Sequence, residues 1–215
     1  MEEVAHDVFC KPQPAACGFV VQMRGLIRIA ERPQLVDEAP PQPRAQVLAQ
    51  RKSFAAAQCA IRVAQEFGLD VVTLRYFTIF GPRQRPDMAF AKMVAALTEN
   101  RPFELFGDGA QSRSFTYVDD AVDATISAME RGRAGATLNV GGGAEVSMLQ
   151  AIEALGSIAG RRLEIVRSPR REGDATRTAA DTSRIRHELG WEARTPFEEG
   201  LAAQWRWAAD RVAAA

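Results

Sequence analysis

The sequence contains few of the residues that build metal sites or disulfide frameworks. Among its 215 residues are three cysteines, Cys10, Cys17 and Cys59, and two histidines, His6 and His187. An odd number of cysteines without metal-ligand spacing suits neither a disulfide scaffold nor a zinc site. We therefore expect a reduced, cytoplasmic protein that holds no metal ion.

An excess of charge of either sign is also absent. The 27 basic and 27 acidic residues give a formal net charge of zero. A neutral chain lacks the positive field expected of a general nucleic-acid binder or of a protein that binds anionic membranes. We expect no nucleic-acid partner, and any site for an anion must be a local cluster of basic residues.

Long apolar runs are missing too. No stretch approaches the roughly 20 residues that cross a bilayer, and acidic residues precede the first short apolar stretch. We therefore expect neither an export signal nor a membrane anchor.

Proline divides the chain into two unlike parts. Residues 1–45 hold six of the 11 prolines and show little periodicity, so we expect an atypical, poorly ordered segment there. Within it, residues 18–30 are apolar enough to form one or two strands, and 33–43 suit an extended connector.

Beyond residue 45, helical and strand patterns alternate. Residues 49–67 are rich in helix formers and end at Gly68, and 69–76 form a short β-branched run. The pattern continues with helices at 89–99, 119–131, 147–159, 181–189 and 196–212 and strands at 103–106, 137–140 and 162–166. Such alternation predicts an α/β protein with a parallel sheet.

Five segments carry a specific resemblance. They are LRYFTIFGPRQRPDMAF (74–90), FGDGAQSRSFTYVDDAVDA (106–124), NVGGG (139–143), PRREGDATRTAADTSR (169–184) and LGW (189–191). In this order they resemble the C-terminal half of the extended short-chain dehydrogenase/reductases of the NAD-dependent epimerase/dehydratase family. The RPDMA stretch is most similar to UDP-glucuronate 4-epimerases.

The resemblance implies a domain organisation. Residues 46–80 would be the residual helix and strand of a Rossmann-like parallel sheet. Residues 81–215 would form a small α/β domain that binds the nucleotide sugar, together with elements that return to the sheet. Nothing comparable marks residues 1–45.

Two arginines match the positions that grip the diphosphate in this family, Arg113 and Arg171. A guanidinium fork makes bidentate, charge-assisted bonds to phosphate oxygens, so the residue type suits the task. Residues 161–186 hold eight arginines against four acidic residues, a local charge of 8 − 4 = +4. The alternative is a solvated arginine-rich surface.

Other matching positions concern the sugar and the base. By resemblance, Arg85 lies near the sugar carboxylate in uronate-handling relatives, and Thr78 replaces an asparagine common in other epimerases. The edge at 102–106 would run past the uracil, with Phe103 and Phe106 packing there. Without the resemblance, Arg85 is a surface residue beside a turn, and both phenylalanines could equally be core.

Several acidic residues have structural interpretations. Asp119 or Asp120 would cap the following helix through a side-chain oxygen, and Asp108 belongs to a glycine-flanked turn. Asp174 and Asp181 invite an acid and base role, but both match ordering loops and helix starts, which we favour.

Cofactor and catalytic motifs of the family are missing from the sequence. It contains no GxxGxxG turn, whose backbone N–H groups hold the pyrophosphate of NAD. Aligned with the family's Tyr-x-x-x-Lys, the tyrosine position falls on Leu48 or Ala49 and the lysine on Lys52, a relic or an ordinary surface lysine. Tyr76 and Phe77 match a residual, weak lining of the cofactor pocket. We expect NAD for the family, but not NAD binding by this chain alone.

Three functions remain open. The leading interpretation is a degenerate homologue that keeps a half able to bind a UDP-sugar, of a UDP-uronate-like kind, and is inactive alone. Alternatively, the chain is an NAD-dependent UDP-sugar 4-epimerase completed by a Rossmann-bearing partner chain. A third interpretation is a pseudoenzyme that serves as an oligomerisation partner, including for a second copy of itself.

Overall fold

A computed structural model describes the backbone of residues 18–23 and residues 59, 61–64, 66–170 and 174–213. Lys52 and Arg171 lie outside the described residues, as do the rest of residues 1–45 and the positions aligned with the family's tyrosine.

The described part contains ten strands and five helices, besides helical backbone at residues 59, 61–64 and 66. The strands are β1 Gly18–Met23, β2 Val71–Tyr76, β3 Ile79–Phe80, β4 Phe103–Phe106, β5 Ser112–Ser114, β6 Thr116–Tyr117, β7 Thr137–Val140, β8 Glu145–Ser147, β9 Ile165–Ser168 and β10 Arg177–Thr178. The helices are α1 Ala89–Thr98, α2 Val118–Arg131, α3 Met148–Ala159, α4 Ser183–Leu189 and α5 Phe197–Ala213.

Four small sheets organise these strands. The first has the order β1-β2-β7, in which β2 and β7 are parallel. The second has the order β10-β5-β8, and the remaining strands form the parallel pairs β3-β6 and β4-β9. Parallel strands with intervening helices confirm the predicted α/β class.

Strand β1 modifies the prediction for the first 45 residues. It pairs antiparallel with β2 over its full length, from Gly18 opposite Tyr76 to Met23 opposite Val71. Its sequence, GFVVQM, is rich in β-branched and aromatic residues, which favour strands. A strand within 18–30 was predicted, and the structure places it at 18–23.

An aromatic quartet forms the centre of the larger core. Phe80, Phe90, Phe115 and Phe197 contact one another in all six pairs, with ring centroids 4.6 to 6.2 Å apart. The four rings come from β3, α1, the β5-β6 junction and α5. Tilted and edge-on aromatic pairs add to the burial energy of each ring, so the quartet joins four segments distant in sequence.

A second core lies beside the first sheet. Leu74 of β2 and Leu138 of β7 are fully buried, and they pack with Ala124 of α2 and Ile185 of α4. The helices thus cover the parallel strands, as expected for this class.

The strand predicted at 162–166 begins three residues later in the structure. The structure places β9 at Ile165–Ser168, where it runs in register with β4 from Phe103 opposite Ile165 to Phe106 opposite Ser168. Pairing with β4 decides these bounds, and a local pattern of apolar residues does not contain that information.

The predicted helix cap at Asp119 or Asp120 is wrong. Tyr117 is the N-cap of α2 and provides no side-chain hydrogen bond. Asp120 is 7% exposed, and its Oδ2 accepts a hydrogen bond from the Thr195 backbone N–H at 3.0 Å. Its carboxylate therefore fastens the segment before α5 to α2. The predicted turn at Asp108 is confirmed, because its Oδ1 accepts a bond from the Ala110 N–H at 2.9 Å.

One exposed ion pair joins the strands of the second sheet. The Arg177 guanidinium donates to both carboxylate oxygens of Glu145, at 2.6 and 2.8 Å, and the Ser112 hydroxyl lies 2.7 Å from one of them. The hydrogen bond from Arg177 has the largest effect and that from Ser112 adds to it; together they lower the pKa of Glu145 to about 2.

In the described part of the chain, no helix is both long enough and apolar enough to cross a bilayer.

Replacing Asp120 by alanine should destabilise the protein, because the Thr195 N–H loses its buried acceptor. We expect the free energy of unfolding to fall by about 1–3 kcal/mol, measured by urea denaturation. Asp119→Ala is the matched control, since Asp119 is exposed in the same helical turn. Equal losses in the two variants would contradict the role given to Asp120.

Glu145→Gln should alter the response of stability to acid. The charged form of Glu145 is favoured in the folded state, so its contribution is present above pH 4.5 and is lost as the pH falls toward 2. The difference in unfolding free energy between wild type and variant should shrink over that interval. Glu153→Gln, at an exposed position on α3, should show no such change; a parallel shift in both variants would refute the prediction.

Candidate functional site

The candidate site starts at Arg113 on β5. This strand lies between β10 and β8, and Arg113 stands opposite Thr178 on one side and Val146 on the other. Pairing on both edges fixes the backbone at Arg113, so the strand presents its guanidinium from a rigid support.

The guanidinium of Arg113 is largely enclosed and has a counter-ion. Its side chain is 17% exposed, and Nη2 donates to Oδ1 of Asp174 at 2.6 Å. Nη1 donates to the Ser112 carbonyl at 2.8 Å. The partly exposed carboxylate of Asp174 is thus the one anionic partner shown for Arg113 among the described residues. Another anion could occupy the position of that carboxylate.

Two more arginines extend this site. Arg167 on β9 donates from Nη1 to the Asp108 carbonyl at 3.1 Å, and Arg170 donates from Nη2 to the Asp174 carbonyl at 2.7 Å. We call Arg113, Arg167 and Arg170 the arginine cluster. Three carboxylates lie beside these groups, those of Asp174, Asp108 and Glu104, the last of which accepts a hydrogen bond from the Ser168 hydroxyl on β9.

Sequence reasoning did not single out Arg167 and Arg170. The signal was the local charge of +4 over residues 161–186, but that run has mixed roles. Other arginines in it pair with carboxylates away from the cluster, in the pairs Arg177 with Glu145, Arg184 with Glu188 and Arg186 with Glu192. Part of the run is therefore an anion-binding candidate and part is structural.

Arg85 lies on a loop between β3 and α1. Its Nε forms an ion pair with Asp87, and its Nη2 lies 3.7 Å from the Met88 sulfur. The Arg85 side chain is 27% exposed, so it can reach a ligand while it stays anchored at its base. The loop begins at β3, which pairs with β6, and β6 begins two residues after β5 ends. The strand that carries Arg113 and the loop that carries Arg85 are thereby connected.

The remaining substrate candidates have mixed surroundings. Thr78 is half-buried, and its carbonyl accepts a bond from the Thr116 N–H at 3.0 Å, next to the β3-β6 pair. Phe103 is 7% exposed within the larger core, while Phe106 is half-buried and its carbonyl accepts a bond from Gln111 at 3.1 Å. The structure therefore places the Phe103 ring in the core and Phe106 at the rim.

Asp174 and Asp181 are separate structural groups. Asp174 pairs with Arg113, whereas Asp181 accepts a bond from the Ser183 N–H at 2.9 Å at the start of α4. Hydrogen bonds from Ser183 lower the pKa of Asp181. Their partners agree with the interpretation that we favoured over an acid and base pair.

Neither tyrosine of the chain is activated as a proton acceptor. The Tyr76 hydroxyl lies 2.5 Å from Thr125 Oγ1, and burial raises its pKa above the ordinary 10.0, against the opposing effect of that hydrogen bond. Burial also raises the pKa of Tyr117, with Asp119 adding to the effect. A catalytic phenol near neutral pH needs the opposite shift.

The described residues do not fit the pyrophosphate of NAD. The glycines of the 141–143 loop approach protein atoms closely: a Cβ on Gly141 would lie 2.4 Å from the Ala180 Cβ and 3.2 Å from the Phe77 Cβ, and one on Gly143 would lie 2.6 Å from the Phe115 carbonyl oxygen. These glycines allow tight packing within the chain. Over residues 59–170 and 174–213, as far as they are described, we find no glycine-rich turn that opens a helix toward a phosphate.

Comparisons with known proteins agree with the sequence motifs. A UDP-glucuronate 4-epimerase of Thermodesulfobacterium geofontis is 35% identical over 147 residues, which cover 68% of this chain and 45% of that protein. An uncharacterised UDP-glucose epimerase of Bacillus subtilis is 37% identical over 138 residues, or 64% of this chain and 44% of that protein. The chain spans about half the length of the curated relatives it matches.

Solved structures give the same result. The UDP-glucuronic acid 4-epimerase of Bacillus cereus, in complex with UDP-glucuronic acid and NAD, is 36% identical with a TM-score of 0.62, over 64% of this chain and 45% of that one. The UDP-glucose 4-epimerase of Thermotoga maritima, with UDP-glucose, is 31% identical with a TM-score of 0.70, over 74% of this chain and 52% of that one. The profile of the NAD dependent epimerase/dehydratase family matches residues 38–141. Residues 38–141 of this chain carry a domain of the NAD dependent epimerase/dehydratase family.

Proposed function

We propose that this chain binds a UDP-sugar through the arginine cluster, and that the sugar is a uronate recognised by Arg85. The observation that carries the proposal is the enclosed Arg113 guanidinium, held by a single carboxylate and accompanied by Arg167 and Arg170. Arg171, which lies outside the described residues, is proposed as the second arginine on the diphosphate.

A diphosphate suits this arrangement chemically. It offers several oxygens to guanidinium forks, and its charge exceeds that of the one carboxylate on Arg113. Binding would exchange the Asp174 oxygen on Nη2 for a phosphate oxygen, while Nη1 keeps its bond to the Ser112 carbonyl. The bond from Arg170 to the Asp174 carbonyl would keep that segment close to the ligand.

The loop at 81–88 would distinguish a uronate from a neutral hexose. Arg85 can form a charge-assisted bond to a sugar carboxylate while Asp87 orients its Nε. Thr78 would lie just before this loop. The edge of β4, which ends at Phe106, would contact the base. The UDP-glucuronic acid bound in the Bacillus cereus relative supports this choice of sugar class.

Binding without turnover is our proposal for the chain by itself. Relatives were crystallised with NAD, but the described residues do not fit that cofactor, and the sequence has no Tyr-x-x-x-Lys. The raised pKa values of Tyr76 and Tyr117 argue against either phenol as a replacement base. We therefore propose a degenerate family member, whose epimerisation of a UDP-sugar would require a Rossmann-bearing partner chain.

Arg113→Ala should weaken UDP binding, because the diphosphate loses its enclosed guanidinium. We expect the dissociation constant to rise about ten- to a hundredfold in calorimetric titrations. Arg186→Ala is the control, since Arg186 is an exposed arginine of the same run that pairs with Glu192. Equal UDP affinity in wild type and Arg113→Ala would refute the proposed diphosphate site.

Arg85→Ala should remove the preference for a uronate. We expect the ratio of UDP-glucuronate to UDP-glucose affinity to fall about tenfold, with little change for UDP-glucose. Arg83→Ala provides the control on the same loop, because Arg83 is exposed and holds no proposed contact with the sugar. If the ratio is unchanged in Arg85→Ala, the uronate assignment is wrong.

A further inference from the structure

A buried amide on the last helix reaches the loop that carries Arg85. Gln204 of α5 is 2% exposed. Its Oε1 accepts a hydrogen bond from the Gly81 N–H at 3.0 Å, and its Nε2 donates to Oε1 of Gln84 at 3.1 Å. One side chain of α5 therefore bonds both the backbone and a side chain of the loop.

Gln84 extends this connection to both ends of the loop. Its Nε2 donates to the Ile79 carbonyl at 2.9 Å, and its Oε1 also accepts a bond from the Ala91 N–H at 3.0 Å. The two amides thus join β3, the loop, α1 and α5. Each of the two amides uses both its oxygen and its nitrogen in a hydrogen bond, so the orientation of each amide is determined by its partners.

The loop has backbone conformations that need such support. Gly81 has a φ of +139°, and a Cβ there would lie 2.7 Å from Cγ1 of Val118. Arg83 has a φ of +63°, which is uncommon for a residue with a side chain. Conformations of this kind persist when surrounding bonds determine them, and the Gln84 and Gln204 amides make those bonds on either side of Arg83.

We propose that Gln204 is a positioning residue, which sets sugar specificity by holding the 81–88 loop so that Arg85 meets a sugar carboxylate. The inference rests on the proposed function and adds to it a determinant on a different element from Arg85 itself. Recognition of a carboxylate by one guanidinium depends on placement, so a loosened loop loses the uronate preference before it loses nucleotide affinity.

Two substitutions separate this role from general destabilisation. Gln204→Met keeps the length of the side chain and removes both hydrogen bonds, while Gln204→Glu keeps an acceptor for Gly81 and loses the donor to Gln84. If Gln204→Met does not fold, Gln84→Met removes the hydrogen bond between the two side chains from its other partner, because Gln84 is a half-buried residue of the loop. Leu155→Ala, a fully buried α3 position in the larger core, controls for lost stability.

The experiment measures calorimetric affinities for UDP, UDP-glucose and UDP-glucuronate, together with amide hydrogen exchange of the 81–88 loop without ligand. We expect the UDP-glucuronate to UDP-glucose affinity ratio to fall about tenfold in the glutamine variants, and UDP affinity to stay within about twofold. Loop exchange should accelerate in these variants and not in Leu155→Ala.

Two results would overturn the proposal separately from the proposed function. If the wild-type protein binds UDP but the UDP-glucuronate to UDP-glucose affinity ratio is unchanged in the glutamine variants, only the positioning role is rejected. If the affinity ratio falls as much in Leu155→Ala as in the glutamine variants, the change in specificity is a consequence of lost stability, and the positioning role is rejected. By contrast, a wild-type protein that binds neither UDP nor UDP-sugars overturns the proposed function itself, and this inference with it.

Discussion

Contact among four phenylalanine rings is the constraint on which the site depends. Phe115 follows Arg113 by two residues, and Phe80 and Phe90 lie at the two ends of the segment that contains Arg85. Because these rings pack on one another and on Phe197, the strand proposed to bind the diphosphate and the loop proposed for the sugar share one core. Packing of these large buried rings thereby fixes the positions of the segments that carry Arg113 and Arg85.

Electrostatics within the site follows from that placement. The Arg113 side chain is 17% exposed, and Asp174 supplies an anionic partner for its guanidinium. In our proposal, Asp174 orients the Arg113 guanidinium until a diphosphate takes its place. The same chain uses fixed pairs elsewhere, such as Arg177 with Glu145, where two hydrogen bonds join strands.

Sequence patterns predicted helices α1 to α5 and five of the ten described strands because their apolar periodicity is local, and motifs indicated the family. The other five strands, β3, β5, β6, β8 and β10, are only two or three residues long, too short to show a periodic pattern. The cap at Asp120 was mispredicted because its partner, Thr195, is 75 residues away. Bounds of β9 depended on pairing with β4, and the roles of Arg167 and Arg170 depended on which carbonyls the fold brings near them. The buried Gln204 resembles any polar helix residue in sequence, because its hydrogen bonds cross more than 100 positions.

The central claim is that Arg113 exchanges Asp174 for the diphosphate of a UDP-sugar. A crystal structure of the protein with UDP-glucuronate tests it most directly. Our account predicts diphosphate oxygens within hydrogen-bond distance of the Arg113 guanidinium, with the Asp174 carboxylate displaced from Nη2 and the sugar carboxylate beside Arg85. A nucleotide bound elsewhere, with the bond between Arg113 and Asp174 intact, would contradict the account.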